Sequence, residues 1–189
     1  MKAQGILILT IGCCLIINAS YIQIKASVAQ MLIAGAFREQ LYTGQPVKPW
    51  PWADTKVIAK LSTSISNNTH KSYVLQDASM RNLAFGPAYM VNTGELASTA
   101  NFGNSVIVGH RDTHFAYLEH LTINDEITVS DYNGETRYKV IQVEVVDESD
   151  VSVLEQTEQK ILTLITCYPF DDISPDPTER YVVRAIKIA

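Results

Sequence analysis

The stretch DEITVSDYNGETRYKVIQVEVVDE, Asp125 to Glu148, alternates apolar and polar residues on both sides of Asn133-Gly134. A period of two fits a half-buried strand, and Asn-Gly is the dipeptide that a tight two-residue hairpin favours. Runs of similar character recur as KVIAKLSTSI and HKSYVLQ, with Asn67-Asn68 suited to the turn between them. The short apolar run NSVIVGH (Asn104 to His110) and the closing runs KILTLITC and RYVVRAIKI complete the set. Only THFAYLEHL (Thr113 to Leu121) reads as a short helix within this region, with Thr113 as its cap. Many short strands, little helix and no repeat predict a mainly β, closed or nearly closed, antiparallel-rich barrel over residues 56–189.

The amino-terminal part differs in kind. Residues Ala3 to Ile24 carry no formal charge, between Lys2 and Lys25, and ILILTIGCCLII (Ile6 to Ile17) is their apolar centre. About 20 helical residues span roughly 30 Å, the thickness of a bilayer core. Residues 1–25 are therefore expected to form an uncleaved membrane anchor, with a signal peptide as the competing reading. A small-x-small site at Ser27 to Ala29 lies beyond Lys25, and Thr10 stands where a lipoprotein site usually has leucine. Residues 26–55 are expected to continue as a helix and a Pro/Trp-rich connector. The helix has Val28, Leu32 and Ala36 or Phe37 near one face, and Pro46, Pro49 and Pro51 extend the chain beyond Gly44. Trp50 and Trp52 are expected to pack on the domain.

At 189 residues there is room for one folded domain and a terminal extension, and 47% apolar with 19% charged residues fits a globular protein. A net charge of −5 without any basic run excludes a nucleic-acid surface. Of the three cysteines, Cys13 and Cys14 are adjacent in the apolar segment, which leaves Cys167 unpaired in the folded part. A buried cysteine is commonly a small hydrophobe, whereas a functional one is a thiolate nucleophile or a metal ligand and needs partners. His110 ends one apolar strand as Cys167 ends another, so both can reach one rim of a barrel. Arg180 opens the last strand. If the last two strands pair antiparallel, Cys167 and Arg180 flank the mouth of their connection, whereas Arg184 lies about 13 Å farther on, at about 3.3 Å per residue. His110, His114 and Cys167 also make a three-ligand zinc set, the basis of an alternative metal-dependent hydrolase.

In order along the chain, VIVGHRDTHF (Val106 to Phe115), LTLITCYPF (Leu162 to Phe170) and RYVV (Arg180 to Val183) resemble the sortase family. Its thiol motif TLxTC is matched by Thr163 to Cys167, and LAFGPAYM and NFGNSVIVGH add to the likeness. The PWPWADT connector is similar to that of the Gram-negative, single-membrane-anchor branch, and the resemblance covers roughly Pro49 to Ile188. Two places depart from the family pattern: Gly86-Pro87-Ala88-Tyr89 replaces a frequent Gly-Pro-Gly-His, and Thr99-Ala100 or nearby residues replace a Pro-Gly.

The resemblance implies an eight-stranded sortase barrel and a cysteine transpeptidase. It further implies that Cys167 would attack a backbone carbonyl of a carboxy-terminal, LPxT-like sorting signal after threonine, giving a thioacyl-enzyme. His110 would protonate the leaving amine and then deprotonate the incoming nucleophile. Arg180 would hold the substrate strand and stabilise the oxyanion. Thr166 and Asp112 are candidate substrate-site residues, with packing open to Thr166 and capping of the turn before Thr113 open to Asp112. The implied partners are a substrate protein bearing the signal, an acceptor amine (or water) and the membrane. The implied location is a single-pass anchor in the cytoplasmic membrane, with the catalytic domain facing the periplasm or cell exterior. Some sortases use calcium through acidic loops. Here Asp147, Glu148 and Asp150 form an acidic cluster read as solvated, and neither metal nor cofactor is expected. A membrane-tethered peptide-binding module without turnover is the non-enzymatic alternative.

Overall fold

The expected hairpin forms, but its two-residue turn is Tyr132-Asn133, one residue before Asn133-Gly134, and Gly134 is the first residue of its second strand. Strands β5 (Glu126–Asp131) and β6 (Gly134–Asp147) pair antiparallel, and the turn closes at Asp131↔Gly134. Gly134 takes φ +131°, open to glycine but strained for other residues, and the Asp131 carboxylate accepts the Asn133 amide at 2.6 Å. The computed structural model describes residues 2–66, 68–96, 101–172, 174 and 176–188. Asn67 and Thr99-Ala100, both singled out in the sequence, lie outside the described residues.

The remaining strands are β1 (Val57–Ile65), β2 (Asn68–Gln76), β3 (Ala88–Tyr89), β4 (Gly103–Val108), β7 (Lys160–Tyr168) and β8 (Glu179–Lys187). They close into an eight-stranded barrel in the order β1-β2-β3-β4-β7-β8-β6-β5. Most neighbours are antiparallel, but β2 with β3 and β4 with β7 are parallel. Inside the barrel lie Leu61, Ile107, Phe115, Tyr138, Leu162 and Leu164. Each such apolar side chain contributes about 1.5–3 kcal/mol on leaving water.

The β1 pattern is largely alternating, one face in and one out, whereas nearly all of β4 and β7 is buried. The outer faces of β4 and β7 are covered by a second cluster of Val106, Ile165, Val182 and Val153, the last from the 3-10 turn Val151–Leu154. Even Lys160 at the start of β7 is buried, its ammonium donating to the Glu95 carbonyl and to Ser105 Oγ. Burial lowers its pKa, and the nearby Glu95 charge acts in the opposite direction.

One helix, α1 (Lys2–Thr43), joins the two amino-terminal segments. Its last turns lie on the barrel, and of the residues expected on one face Ala36 and Phe37 dock while the other two do not. Val28 and Leu32 are exposed, whereas Ala29, Ile33, Ala36 and Phe37 are buried. Ile33, Ala36 and Phe37 pack against Val57, Leu75 and Ala88. Two apolar stripes run side by side at helical spacing, and the barrel selects the one shifted by a residue. Gln30 and Gln40 then donate to the carbonyls of Phe85 and Ile58, fastening the helix. Gly44, at φ +68°, closes it through its amide to the Gln40 carbonyl.

Of the two tryptophans, Trp50 packs edge-on to Phe85 at 5.3 Å, while Trp52 is 83% exposed. Among the described residues no helix is long and apolar enough to cross a membrane.

The short helix expected from Thr113 is displaced. It is a 3-10 turn at Ala116–His120 whose cap position, Phe115, makes no side-chain capping bond. Phe115 is fully buried and donates its amide to the His110 carbonyl at 3.0 Å, so residues 111–115 form a turn first. Burying the Phe115 ring outweighs a threonine cap worth about 1 kcal/mol.

Candidate active site

Three neighbouring barrel strands, β4, β7 and β8, bring the expected residues together. Cys167 lies next to the last residue of β7, half-buried and unpaired, with Arg180 its direct partner across the antiparallel β7–β8 ladder. On the other side β4 runs parallel to β7, with Val108 opposite Ile165. Beyond the strand the Gly109 amide still donates to the Ile165 carbonyl at 3.2 Å, and Thr166 Oγ1 donates to the Gly109 carbonyl at 2.7 Å. Continuing that register by two residues sets His110 level with Cys167. All three residues line one cleft, with Cys167 and Arg180 opposite each other on β7 and β8 and His110 just past the end of β4. Arg184, by contrast, pairs with Thr163.

Local sequence explains why the chain holds this shape. A Cβ at Gly109 would come within 2.8 Å of the Phe115 ring, so only glycine lets that ring seal the barrel directly beneath His110. On the exit side of Cys167, the rings of Tyr168 and Phe170 flank Tyr181 at 6.1 and 5.0 Å, pinning the start of the β7–β8 connection onto β8.

A cleft of about 670 Å³ opens over these strand ends. His110, Cys167 and Arg180 share it with Thr166 and Asp112, and with the apolar Val108 and Ile165. Thr166 is buried and its hydroxyl is already committed to Gly109, so it ties the cysteine strand to the histidine strand. Asp112 is exposed and makes no hydrogen bond or ion pair among the described residues. Its charge is felt at His114. Burial lowers the His114 pKa, the charge of His110 lowers it further, and Asp112 partly offsets both.

That depression has a testable sign. The contribution of neutral His114 to stability is complete above its ordinary pKa of 6.5 and is lost as pH falls through the lower folded value. Relative to His114→Gln, the wild-type chain is expected to lose melting temperature on acidification below about pH 6.5. Parallel curves for the two proteins would show that His114 gains its proton as freely folded as unfolded.

Two partners escaped the sequence reading. Glu148, taken there as part of a solvated cluster, places Oε2 at 2.8 Å from Arg180 Nη2. Arg180 Nη1 donates to the carbonyls of Pro177 and Glu179 at 2.6 and 3.0 Å. This half-exposed ion pair adds at most about 1 kcal/mol to stability. It orients the guanidinium and leaves Nε–H unspent. No local signal marks Glu148, because the β6–β8 ladder decides that Val146 faces Arg180. Its neighbours Asp147 and Asp150 are spent on Ser149 and Ser152, whose hydrogen bonds lower both carboxyl pKa values. The second partner is Arg111, beside His110 in the same cleft.

The zinc alternative needs His110, His114 and Cys167 to converge on one ion, and among the described residues no group of three or more potential ligands does so.

The sortase domain family model matches residues 64–188. The chain belongs to the sortase family. It is 35% identical over 87 residues to Sortase D of Bacillus subtilis (strain 168), covering 46% of this chain and 43% of that protein. The matched region thus spans less than half of that relative. Among solved structures, the fold is similar to that of the Sortase D5 transpeptidase of Clostridium perfringens, with TM-score 0.67, 21% identity, and coverage of 86% of this chain and 99% of the other. It is also similar to Sortase A from Corynebacterium diphtheriae, with TM-score 0.63, 24% identity, and coverage of 73% and 63%. The sortase barrel expected from the motifs is thus the barrel observed. The family departure at Gly86 to Tyr89 falls outside the cleft. A Cβ at Gly86 would meet the Tyr73 carbonyl at 2.9 Å, and Ala88 is a buried residue of β3.

Proposed function

We propose that this sortase-family chain is a cysteine transpeptidase acting on proteins that carry a carboxy-terminal LPxT-like signal. The observation that supports this best is the placement of Cys167 directly across from Arg180 and level with His110 in one open cleft. Cys167 Sγ attacks the threonine carbonyl carbon, forming the C–S bond as charge builds on the carbonyl oxygen. Arg180, held by Glu148 and two carbonyls, offers its unspent N–H donors to that oxygen. The C–N bond then breaks, and a proton from His110 goes to the departing amine, leaving a thioester on Cys167. An acceptor amine, or water, attacks the thioester and gives its proton to His110, and the thiolate leaves. Neither metal nor cofactor enters this sequence.

The anchor rests on the sequence: residues 3–24 carry no formal charge and hold the chain at the cytoplasmic membrane as a single pass, although among the described residues α1 does not reach the apolar length of a spanning helix. The barrel lies on the outer side, where proteins bearing such signals emerge. Resistance to carbonate extraction, with external protease reaching the barrel, is the expected outcome. Release of the chain by carbonate would remove the anchor from this reading.

The decisive experiment is mass spectrometry of the full-length chain with LPxT-type peptides, with and without an added amine. A thioacyl adduct on Cys167 and an amine-bearing product are expected. A chelator-sensitive cleavage that survives loss of Cys167 would install the zinc hydrolase instead, and peptide binding with no cleavage would install the binding module. Arg180→Gln should lower kcat about 10²–10³-fold while the Cys167 thiol remains accessible to alkylation. A change confined to KM would mean that Arg180 holds the peptide without stabilising the oxyanion.

A further inference from the structure

The arginine that follows His110 is not used by the mechanism above, yet it is the most deeply buried cation of the cleft. The Arg111 side chain is only 10% exposed. Its Nη2 donates to the Ser174 carbonyl at 3.0 Å. Its Nη1 is buried without a hydrogen-bond partner, 3.8 Å from Asp172 Oδ2. The other oxygen of that carboxylate accepts the Ser174 amide at 2.9 Å, so Asp172 and Ser174 are tied to each other, and Arg111 donates to one while its charge faces the other. Both belong to the connection between Cys167 and Arg180, whereas Arg111 follows His110 beyond the end of β4. The guanidinium thus joins the chain segment bearing one reacting group to the segment bearing the other two.

Deep burial of a permanent charge is costly unless it is compensated, and here the compensation comes from the connection itself. A guanidinium suits the task because its rigid plane can donate from one arm to the Ser174 carbonyl while the other arm carries charge toward Asp172, which the point charge of lysine does not. We propose that Arg111 is a positioning residue for the transfer reaction: through Asp172 and Ser174 it clamps the β7–β8 connection to the end of β4 and so holds His110 and the Cys167–Arg180 pair in register across the cleft. The proposal rests on the transpeptidase reading for its effect on rate, but the clamp itself is a physical link that is measurable without turnover.

The test uses the full-length chain in detergent with Arg111→Met, Arg111→Lys, Asp172→Asn and the Arg111→Met/Asp172→Asn pair. Misplacing reacting groups by about 1 Å costs on the order of 100-fold, so Arg111→Met should lower peptide-transfer kcat/KM roughly 10–100-fold. The double variant should be no worse than Arg111→Met, since both changes break one link. Arg111→Lys should recover part of the loss, and Cys167 alkylation should proceed as in the wild type. Hydrogen exchange of the amides in the β7–β8 connection should quicken in Arg111→Met and Asp172→Asn. Additive losses in the pair, unchanged transfer in Arg111→Met, or unchanged exchange in the connection would each overturn the clamp. If the wild type shows no Cys167-dependent transfer, the transpeptidase reading fails by itself, and exchange alone decides the clamp. Should Arg111→Met not fold, Asp172→Asn carries the same comparison, because it leaves the guanidinium and the Ser174 carbonyl in place.

Discussion

Cys167→Ala is expected to abolish peptide cleavage and amine transfer together, with a melting temperature close to that of the wild type. On the proposed mechanism the loss is total, because the thiol forms the bond that divides one difficult acyl transfer into two easier ones. In other nucleophilic enzymes, removing the nucleophile alone costs about as much as removing the whole catalytic set, around 10⁶-fold in kcat. The near-neutral effect on stability follows from position. Cys167 is half-buried at the rim, outside the clusters that fill and cover the barrel, so deleting its sulfur opens no closed cavity. Parallel assays of turnover and thermal melting separate the two effects. Retained cleavage by Cys167→Ala, or a collapse in melting temperature that accounts for the loss, would return Cys167 to the role of a structural hydrophobe.

The second large effect is expected at His110. His110→Gln should lower peptide turnover about 10²–10⁴-fold, the usual contribution of a positioned proton donor and acceptor. An amine is a poor leaving group unless it is protonated as the C–N bond breaks, and on the proposed mechanism His110, which lines the same cleft as Cys167, supplies that proton. The leaving group therefore provides a sharp control. An activated ester of the same peptide expels an oxyanion that needs little protonation, so the variant should acylate on the ester far closer to the wild-type rate. Formation of the Cys167 thioester, followed by mass, reads this directly. An equal defect on ester and peptide would mean that His110 serves Cys167 or the fold and not the leaving group. Gln at this site keeps the backbone beyond Gly109 and the seal made by Phe115, so the change falls on the imidazole.

Much of this arrangement is legible in the linear chain, for a local reason. Whether a residue in a strand faces core or water depends on its parity, and Glu126 to Asp147 displays that parity with a glycine at the turn. Cys167 and Arg180 close and open consecutive strands, so an antiparallel ladder brings them opposite each other. The TLxTC motif names the thiol and, through family resemblance, the histidine and arginine. Where the reading failed, the deciding contact was distant in sequence. Thr113 looked like a cap because the turn beneath Phe115 has no local signature. On α1 the expected face shares Ala36 and Phe37 with the docked one but not Val28 and Leu32, which are as apolar as the Ala29 and Ile33 that are buried in their place.

From the order of residues alone it follows that the chain makes short strands closed by tight turns, and that one unpaired thiol ends such a strand. Both follow from side-chain polarity and backbone freedom, properties that each residue carries with it. That Glu148 orients Arg180, that Arg111 reaches Asp172 and Ser174, and that β4 lies beside β7 so that His110 and Cys167 share a cleft is settled in three dimensions. Backbone N–H and C=O groups pair with any strand alike, so which strands become neighbours is settled by burial of the whole barrel, and the charges at its rim find their partners only after it closes.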